Sequence, residues 1–124
     1  MMIEQRKHPR INKSMIIRFR LLGSHLGMSS RCEDISEGGM RLSILQRLDL
    51  GMSLTLDFKL EETAEPITAK AKVVWQNDRD NAYYPFVVGL KFFKISPADS
   101  KKIHDYVTTM LCRENPADAA RSNN

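Results

Sequence analysis

Hydrophobic and polar residues alternate through most of the middle of this 124-residue chain. The cleanest run is 52–60, where Met52, Leu54, Leu56, Phe58 and Leu60 interleave with Ser53, Thr55, Asp57 and Lys59. A period of two sends successive side chains to opposite faces, so the run predicts a strand buried on one side. The same pattern predicts a strand over 14–22, with Ile17, Phe19 and Leu21 on one face and Arg18 and Arg20 on the other. Further strands are expected over 31–35, 40–44, 67–76 and 83–93. In 67–76 the apolar face is Ile67, Ala69, Ala71, Val73 and Trp75. Run 83–93 contains Gly89, a weak point in a strand unless a bend or a close backbone approach needs it. Loops are expected over 23–30, 46–51, the acidic turn 61–66 and the polar hairpin tip 77–81.

After residue 95 the period changes. Ser96 suits an N-cap, Pro97 the first helical position, and Asp99 the first turn near the positive helix end. Ile103, Val107, Met110 and Leu111 then make one apolar stripe. This predicts a helix to about residue 112, laid on the sheet. Six strands with short connections and one terminal helix imply a mainly β fold, a closed or nearly closed six-stranded antiparallel barrel with a C-terminal α-helix. Three stretches follow: a flexible basic arm over 1–13, where charge and Pro9 replace apolar residues, the barrel and helix over 14–112, and a disordered tail over 113–124.

Composition adds little until charge is located. Nineteen basic against fifteen acidic residues give +4. Six of the first twenty residues are Lys or Arg (Arg6, Lys7, Arg10, Lys13, Arg18, Arg20) against the single acid Glu4. That concentration suggests an anionic partner, with a solvated basic tail as the competing explanation. Cys32 and Cys112 are too few and too far apart for a metal site, and both are expected as buried thiols. His8, His25 and His104 share no ligand spacing, so no metal is expected. No run approaches membrane-spanning length and no apolar leader is present, so no membrane insertion and a cytoplasmic location are expected. No nucleophile motif, Cys/His pairing or carboxylate pair points to catalysis, so the chain is not expected to be an enzyme.

The candidate chemistry lies in Asp34-Ile35-Ser36-Glu37-Gly38-Gly39, read as the tight join between two strands. Adjacent glycines allow backbone angles that a Cβ resists. Asp34 and Ser36, two apart, share a face of an extended segment. Together with several backbone N–H groups they offer a concavity for a polar planar ligand or an anion. The competing reading is that Asp and Ser only hold the turn by bonding their own backbone. Upstream, Arg6 and Arg10 stand four apart with Pro9 between them. Arginine's planar fork matches phosphate and the O6/N7 edge of guanine, while a carboxylate complements the N1–H and N2–H₂ edge. Arginines with an aspartate therefore fit a guanine nucleotide better than a bare anion.

Arg6-x-x-x-Arg10 followed, after one strand, by Asp34-x-Ser36-x-x-Gly39 resembles the PilZ domain family, receptors for cyclic di-GMP. Gln5, Gly38-Gly39, Val73-Val74-Trp75 and Val88-Gly89-Leu90-Lys91-Phe92 agree with it, and the resemblance covers roughly residues 4–112. It implies that Arg6 and Arg10 hold phosphates and the guanine Hoogsteen edge. Asp34 and Ser36 would line the guanine pocket, and Gly39, with Gly38, would admit the base. Gln5, Lys7 and Arg41 are second candidate contacts. Trp75 reads as a core or rim residue, with a place near the nucleotide as the alternative. The implied function is a single-domain cyclic di-GMP receptor or adaptor, without cofactor. Its arm would fold over the ligand and signal to an unidentified effector protein. The alternative is a PilZ-like adaptor that binds no nucleotide. A nucleic-acid reading ranks last, because most aromatics fall on inward positions.

Overall fold

The computed structural model describes residues 9–79 and 83–114. Its elements are β1 (Arg10–Leu21), β2 (Met28–Ser36), β3 (Gly39–Ile44), β4 (Ser53–Phe58), β5 (Ile67–Asp78), β6 (Phe86–Lys94) and α1 (Pro97–Glu114). The strands pair antiparallel in the closed order β1-β2-β3-β6-β5-β4, with β4 returning to β1. Closure leaves no unpaired edge. The inward faces, among them Ile17, Phe19, Leu42, Leu54, Leu56, Ala71, Val73 and Val88, form a single apolar core.

The helix starts where its cap chemistry predicts, with the Asp99 amide donating to Ser96 Oγ at 3.0 Å. Its Ile103 and Val107 are buried in the core, and it packs against β1 and β2. No helix among the described residues is long and apolar enough to cross a membrane.

Several boundaries move. Strand β1 starts at Arg10 rather than 14, because Ile11 is buried in the core and carries the ladder back. Residues 10–13, expected in the arm, are therefore strand. The pair Phe19↔Met28 draws β2 back into the expected loop. Strand β6 starts at Phe86 rather than 83, and Tyr83 and Tyr84 form a T-shaped pair before it, with ring centroids 5.0 Å apart. The helix continues to Glu114, so the first two residues of the expected tail are helical. The remaining arm and tail expectations, over 1–8 and 115–124, lie outside the described residues, as do Gln5, Arg6, Lys7 and His8.

Cys32 is buried, as expected, but Cys112 is exposed: the stripe that turns Met110 and Leu111 toward the barrel carries the next residue past it. Burial, followed by the negative charges of Asp34 and Glu33, pushes the Cys32 thiol up to about 12. Thiolates are the reactive form. Native protein at mildly alkaline pH should therefore alkylate once, at Cys112, and twice only in denaturant, as intact mass would show.

Candidate functional site

Among the described residues, Arg10, Asp34, Ser36, Gly39, Arg41 and Trp75, all singled out in the sequence, fall on two adjacent rows of the barrel's outer wall. Register pairs Arg10 with Ser36, Ser36 with Gly39, Gly39 with Lys91, and Lys91 with Lys72. The next row pairs Asn12 with Asp34, Asp34 with Arg41, Arg41 with Gly89, and Gly89 with Trp75. Each row carries a glycine, Gly39 on β3 in the first and Gly89 on β6 in the second, where a side chain would otherwise stand. Between them lies a cleft of about 230 Å³ lined by Arg10, Ser36, Gly38, Gly39, Trp75 and Lys91, among others. Neighbouring strands are ~4.8 Å apart, so the strands bearing Arg10 and Lys91 flank the hollow at ~14 Å.

Two β-bulges put the side chains there. In β2 the register steps from Cys32↔Leu42 to Asp34↔Arg41, leaving Glu33 extra. Cys32 and Ile35, three apart, then both face the core, while Asp34 turns to the outer-wall arginines and Ser36 to the cleft, both covered by their neighbours. Uninterrupted alternation would have sent Asp34 inward with Cys32. In β5 the register steps from Val73↔Leu90 to Trp75↔Gly89, leaving Val74 extra. Trp75 therefore leaves the apolar face on which the alternation placed it. It stands outside with 36% of its surface exposed. Bulges of this kind re-aim side chains at sites. Phe93 and Tyr83 are also exposed, while Phe19, Phe58 and Phe92 are buried, so outward aromatics are more numerous than the alternation implied.

The glycines act by making room. A Cβ on Gly39 would lie 1.9 Å from the Leu90 carbonyl oxygen, and one on Gly89 would lie 2.1 Å from Trp75 Nε1. The special backbone angles expected at Gly38-Gly39 do not occur: among the described residues the positive-φ glycines are Gly23 and Gly51.

Asp34 and Ser36 divide the two readings of their motif. Ser36 holds the turn: its Oγ accepts from the Gly38 amide at 3.2 Å and donates to the Gly39 carbonyl at 3.4 Å. Asp34 does not. Its side chain is 5% exposed and lies between two arginines, with Oδ1 3.3 Å from Arg10 Nη1 and Oδ2 3.0 Å from Arg41 Nη2. It sits behind Arg10, outside the cleft lining. The Nε atoms of Arg10 and Arg41 are buried without a hydrogen-bond partner. Buried donors of this kind are costly to leave unmade, which makes the pair receptive to an added acceptor.

The bulge residue Glu33 extends the network. It accepts from Ser43 Oγ and from both terminal nitrogens of Arg79, Nη2 at 2.6 Å, with Arg41 Nε 3.7 Å away. Hydrogen bonding to Arg79 is the first cause that holds its carboxyl below the usual range. A depressed carboxyl contributes stability above its unfolded value of about 4.3 and loses it as pH falls through the folded value. An Arg79→Ala variant should therefore be less stable than the parent near pH 7, and the gap should shrink steadily as pH falls below about 4.3. Urea unfolding over a pH series from 7 downward checks this; a gap that does not shrink in acid would assign Arg79 a role other than this ion pair. Glu37, in the β2–β3 turn, faces the helix instead, 3.0 Å from His104 Nδ1 and 3.4 Å from Ser100 Oγ.

Of the expected site residues, Arg10, Ser36, Gly38, Gly39 and Trp75 meet in the cleft, and Asp34 and Arg41 stand behind it. Lys91 lines the cleft and was not singled out. Its signal was two positions from Gly89 on the same face of an apolar strand.

The PilZ domain family model matches residues 4–109. No curated protein matches the sequence. The fold is similar to Bacillus subtilis inhibitor of motility (MotI/DgrA), with a TM-score of 0.78 at 18% identity, over 90% of this chain and 53% of that one. It is similar to the PilZ domain of Escherichia coli YcgR with c-di-GMP, with a TM-score of 0.68 at 14% identity, over 94% and 98%. Against YcgR in complex with c-di-GMP the TM-score is 0.67 at 18% identity, over 97% and 51%. The chain thus spans about half the length of the MotI and YcgR chains. At these identities the likeness is one of fold.

Proposed function

The chain belongs to the PilZ domain family, and on that footing we propose that it is a cytoplasmic receptor for cyclic di-GMP that signals to a partner protein without catalysis. One observation carries the reading. Arg10, Ser36, Gly38 and Gly39 line one outer cleft beside the Trp75 indole, with Asp34 held directly behind it. Arginine at the rim suits phosphate and a guanine Hoogsteen edge, and the glycine hollow admits a flat ring. Arg6, outside the described residues, joins Arg10 as the second phosphate ligand of the family motif; Gln5 and Lys7 are secondary contacts. Solved relatives carry c-di-GMP in this fold.

Each oxygen of Asp34 already faces an arginine, and the carboxylate is buried behind Arg10, outside the cleft lining. For its remaining lone pairs to accept from guanine N1–H and N2–H₂, Arg10 must move aside. Arg10 is the first residue of β1, whereas Arg41 is within β3, so Arg10 is the one that moves. That exchange is the proposed switch: the nucleotide takes Arg10 from Asp34, and the wall before β1 presents a new surface. The same burial of Asp34 between two arginines favours the second reading, an adaptor that binds no nucleotide.

Isothermal titration of cyclic di-GMP separates them, with GTP as the control ligand. The parent should bind saturably and GTP should not. Arg10→Ala, alone or with Arg6→Ala, should weaken binding ~10- to 100-fold per arginine, the scale of a lost charged hydrogen bond. No heat and no thermal shift in folded parent protein would leave the adaptor reading.

A further inference from the structure

The outer face of β5 and β6 carries Lys70 directly opposite Lys94, and Lys72 directly opposite Lys91. Like charges so placed destabilise a ladder. Among the described residues none of the four pairs with a carboxylate; the lysines that do are Lys101 and Lys102, on the helix. Phe93 stands among them, 50% exposed, with Lys72 Nζ 5.4 Å from its ring centroid. This face is an aromatic knob ringed by uncompensated ammonium groups.

Its chemical complement lies on the same chain. A groove of about 400 Å³ runs between α1 and the β4–β5 connection. Leu60, Ile67, Tyr106 and Met110 supply its apolar surface, and Glu61, Glu65, Asp105, Lys102 and Arg113 stand at it. Asp105 and Lys102 are paired along the helix, with Lys101 and Asp99, which leaves two glutamates against the one arginine. Both glutamates are exposed, and among the described residues neither forms an ion pair. The groove suits an aromatic side chain flanked by cations. The two surfaces are adjacent, since Ile67 of the groove and Lys70 of the face lie three residues apart on β5. Within one chain they do not meet. Adjacent complementary surfaces are what a two-fold axis between them satisfies, each contact being made twice.

We propose that this chain forms a two-fold homodimer in which Phe93 of each copy enters the groove of the other, with Lys70 and Lys94 facing Glu61 and Glu65. The occupant is assigned by charge and shape complementarity: a compact cluster of lysines around one aromatic matches an apolar floor whose two glutamates outnumber its one arginine once the helix pairs of Asp105 and Lys102 are set aside. A nucleic-acid strand would need an elongated cationic track instead. The contact is small and rimmed by exposed charges, so it belongs to the weak, transient class, with a micromolar dissociation constant that rises with salt. The face shares Lys91 with the cleft, but the contacts proposed here use Phe93, Lys70, Lys94, Glu61 and Glu65, none of which lines it, so dimerisation and nucleotide binding can be read separately.

Sedimentation velocity over a concentration series tests it, using the full chain. The parent should dimerise at low salt and dissociate toward monomer at about 0.5 M salt, where the Debye length is ~4 Å. Phe93→Ala should weaken the dimer ~30-fold, as for a buried aromatic anchor. Lys70→Glu/Lys94→Glu sets glutamates against Glu61 and Glu65, and Glu61→Lys/Glu65→Lys sets lysines against Lys70 and Lys94, so each variant alone should be monomeric. Mixed, every contact regains opposite charges and a 1:1 heterodimer should return. A parent that stays monomeric at every concentration overturns the proposal. So does a parent dimer that survives both charge reversals, or a mixture of two folded variants, matched to the parent in thermal unfolding, that fails to associate.

Discussion

Replacing Gly39 with alanine is expected to destabilise the barrel by about 3 kcal/mol, the upper end of what an overpacked site costs. The new Cβ would meet the Leu90 carbonyl oxygen at 1.9 Å, its carbon at 3.0 Å and Lys91 Cα at 3.2 Å. All three are backbone, so no rotamer change relieves the clash. Strand β3 must move away from β6 at the Gly39↔Lys91 pair, next to the bond from the Phe92 amide to the Gly38 carbonyl at 2.9 Å. Urea unfolding should show a lower midpoint with an unchanged slope. A variant within ~0.5 kcal/mol of the parent would mean that the two strands do not approach this closely. Gly89 is the instructive contrast. Its Cβ would meet the Trp75 indole, at 2.1 Å from Nε1 and 2.2 Å from Cε2, which is a side chain that can swing away. Gly89→Ala should therefore cost only ~1 kcal/mol while moving the indole, with a shift in its fluorescence.

Asp34→Ala is expected to weaken cyclic di-GMP binding by about 100-fold or more and to lower stability by about 2 kcal/mol. The stability loss arises because Arg10 and Arg41 would face each other with no carboxylate between them. Breaking a fully buried ion pair costs ~3–5 kcal/mol. Here the arginine side chains are 29% and 34% exposed, so water takes up part of the charge and the figure is smaller. Asp34→Asn separates the two effects. It keeps the shape and one acceptor, so it should recover part of the stability while nucleotide affinity stays low, because an amide cannot replace a carboxylate opposite guanine N1–H and N2–H₂. Titration beside urea unfolding of both variants reads the two losses. Parent-like affinity in Asp34→Ala would remove Asp34 from recognition and leave it a structural counter-ion to the arginines.

The barrel was legible because alternation is a local property. Residues 52–60 and 67–73 keep a period of two without interruption, so their inward sets, Leu54, Leu56, Phe58 and Ala69, Ala71, Val73, are buried as read. The helix was equally legible, since Ser96, Pro97 and Asp99 mark its start by contacts within one turn. Ends were less so. Whether Arg10 belongs to an arm or a strand depends on Ser36, its partner across the ladder, and local pattern carries no record of that partner.

Local pattern and side-chain chemistry were enough to find the strands, the helix and the candidate residues Arg10, Asp34, Ser36, Gly39 and Trp75. How those residues are placed came from long-range pairing. A pattern of period two places Asp34 with Cys32 and Trp75 with Val73 on the core side; bulges at Glu33 and Val74 turn both outward. A bulge is set by how two strands register, and register depends on side chains far away in the chain. For the same reason Gly39 reads as a turn glycine until Leu90, fifty-one positions later, is seen to press its carbonyl where a Cβ would be.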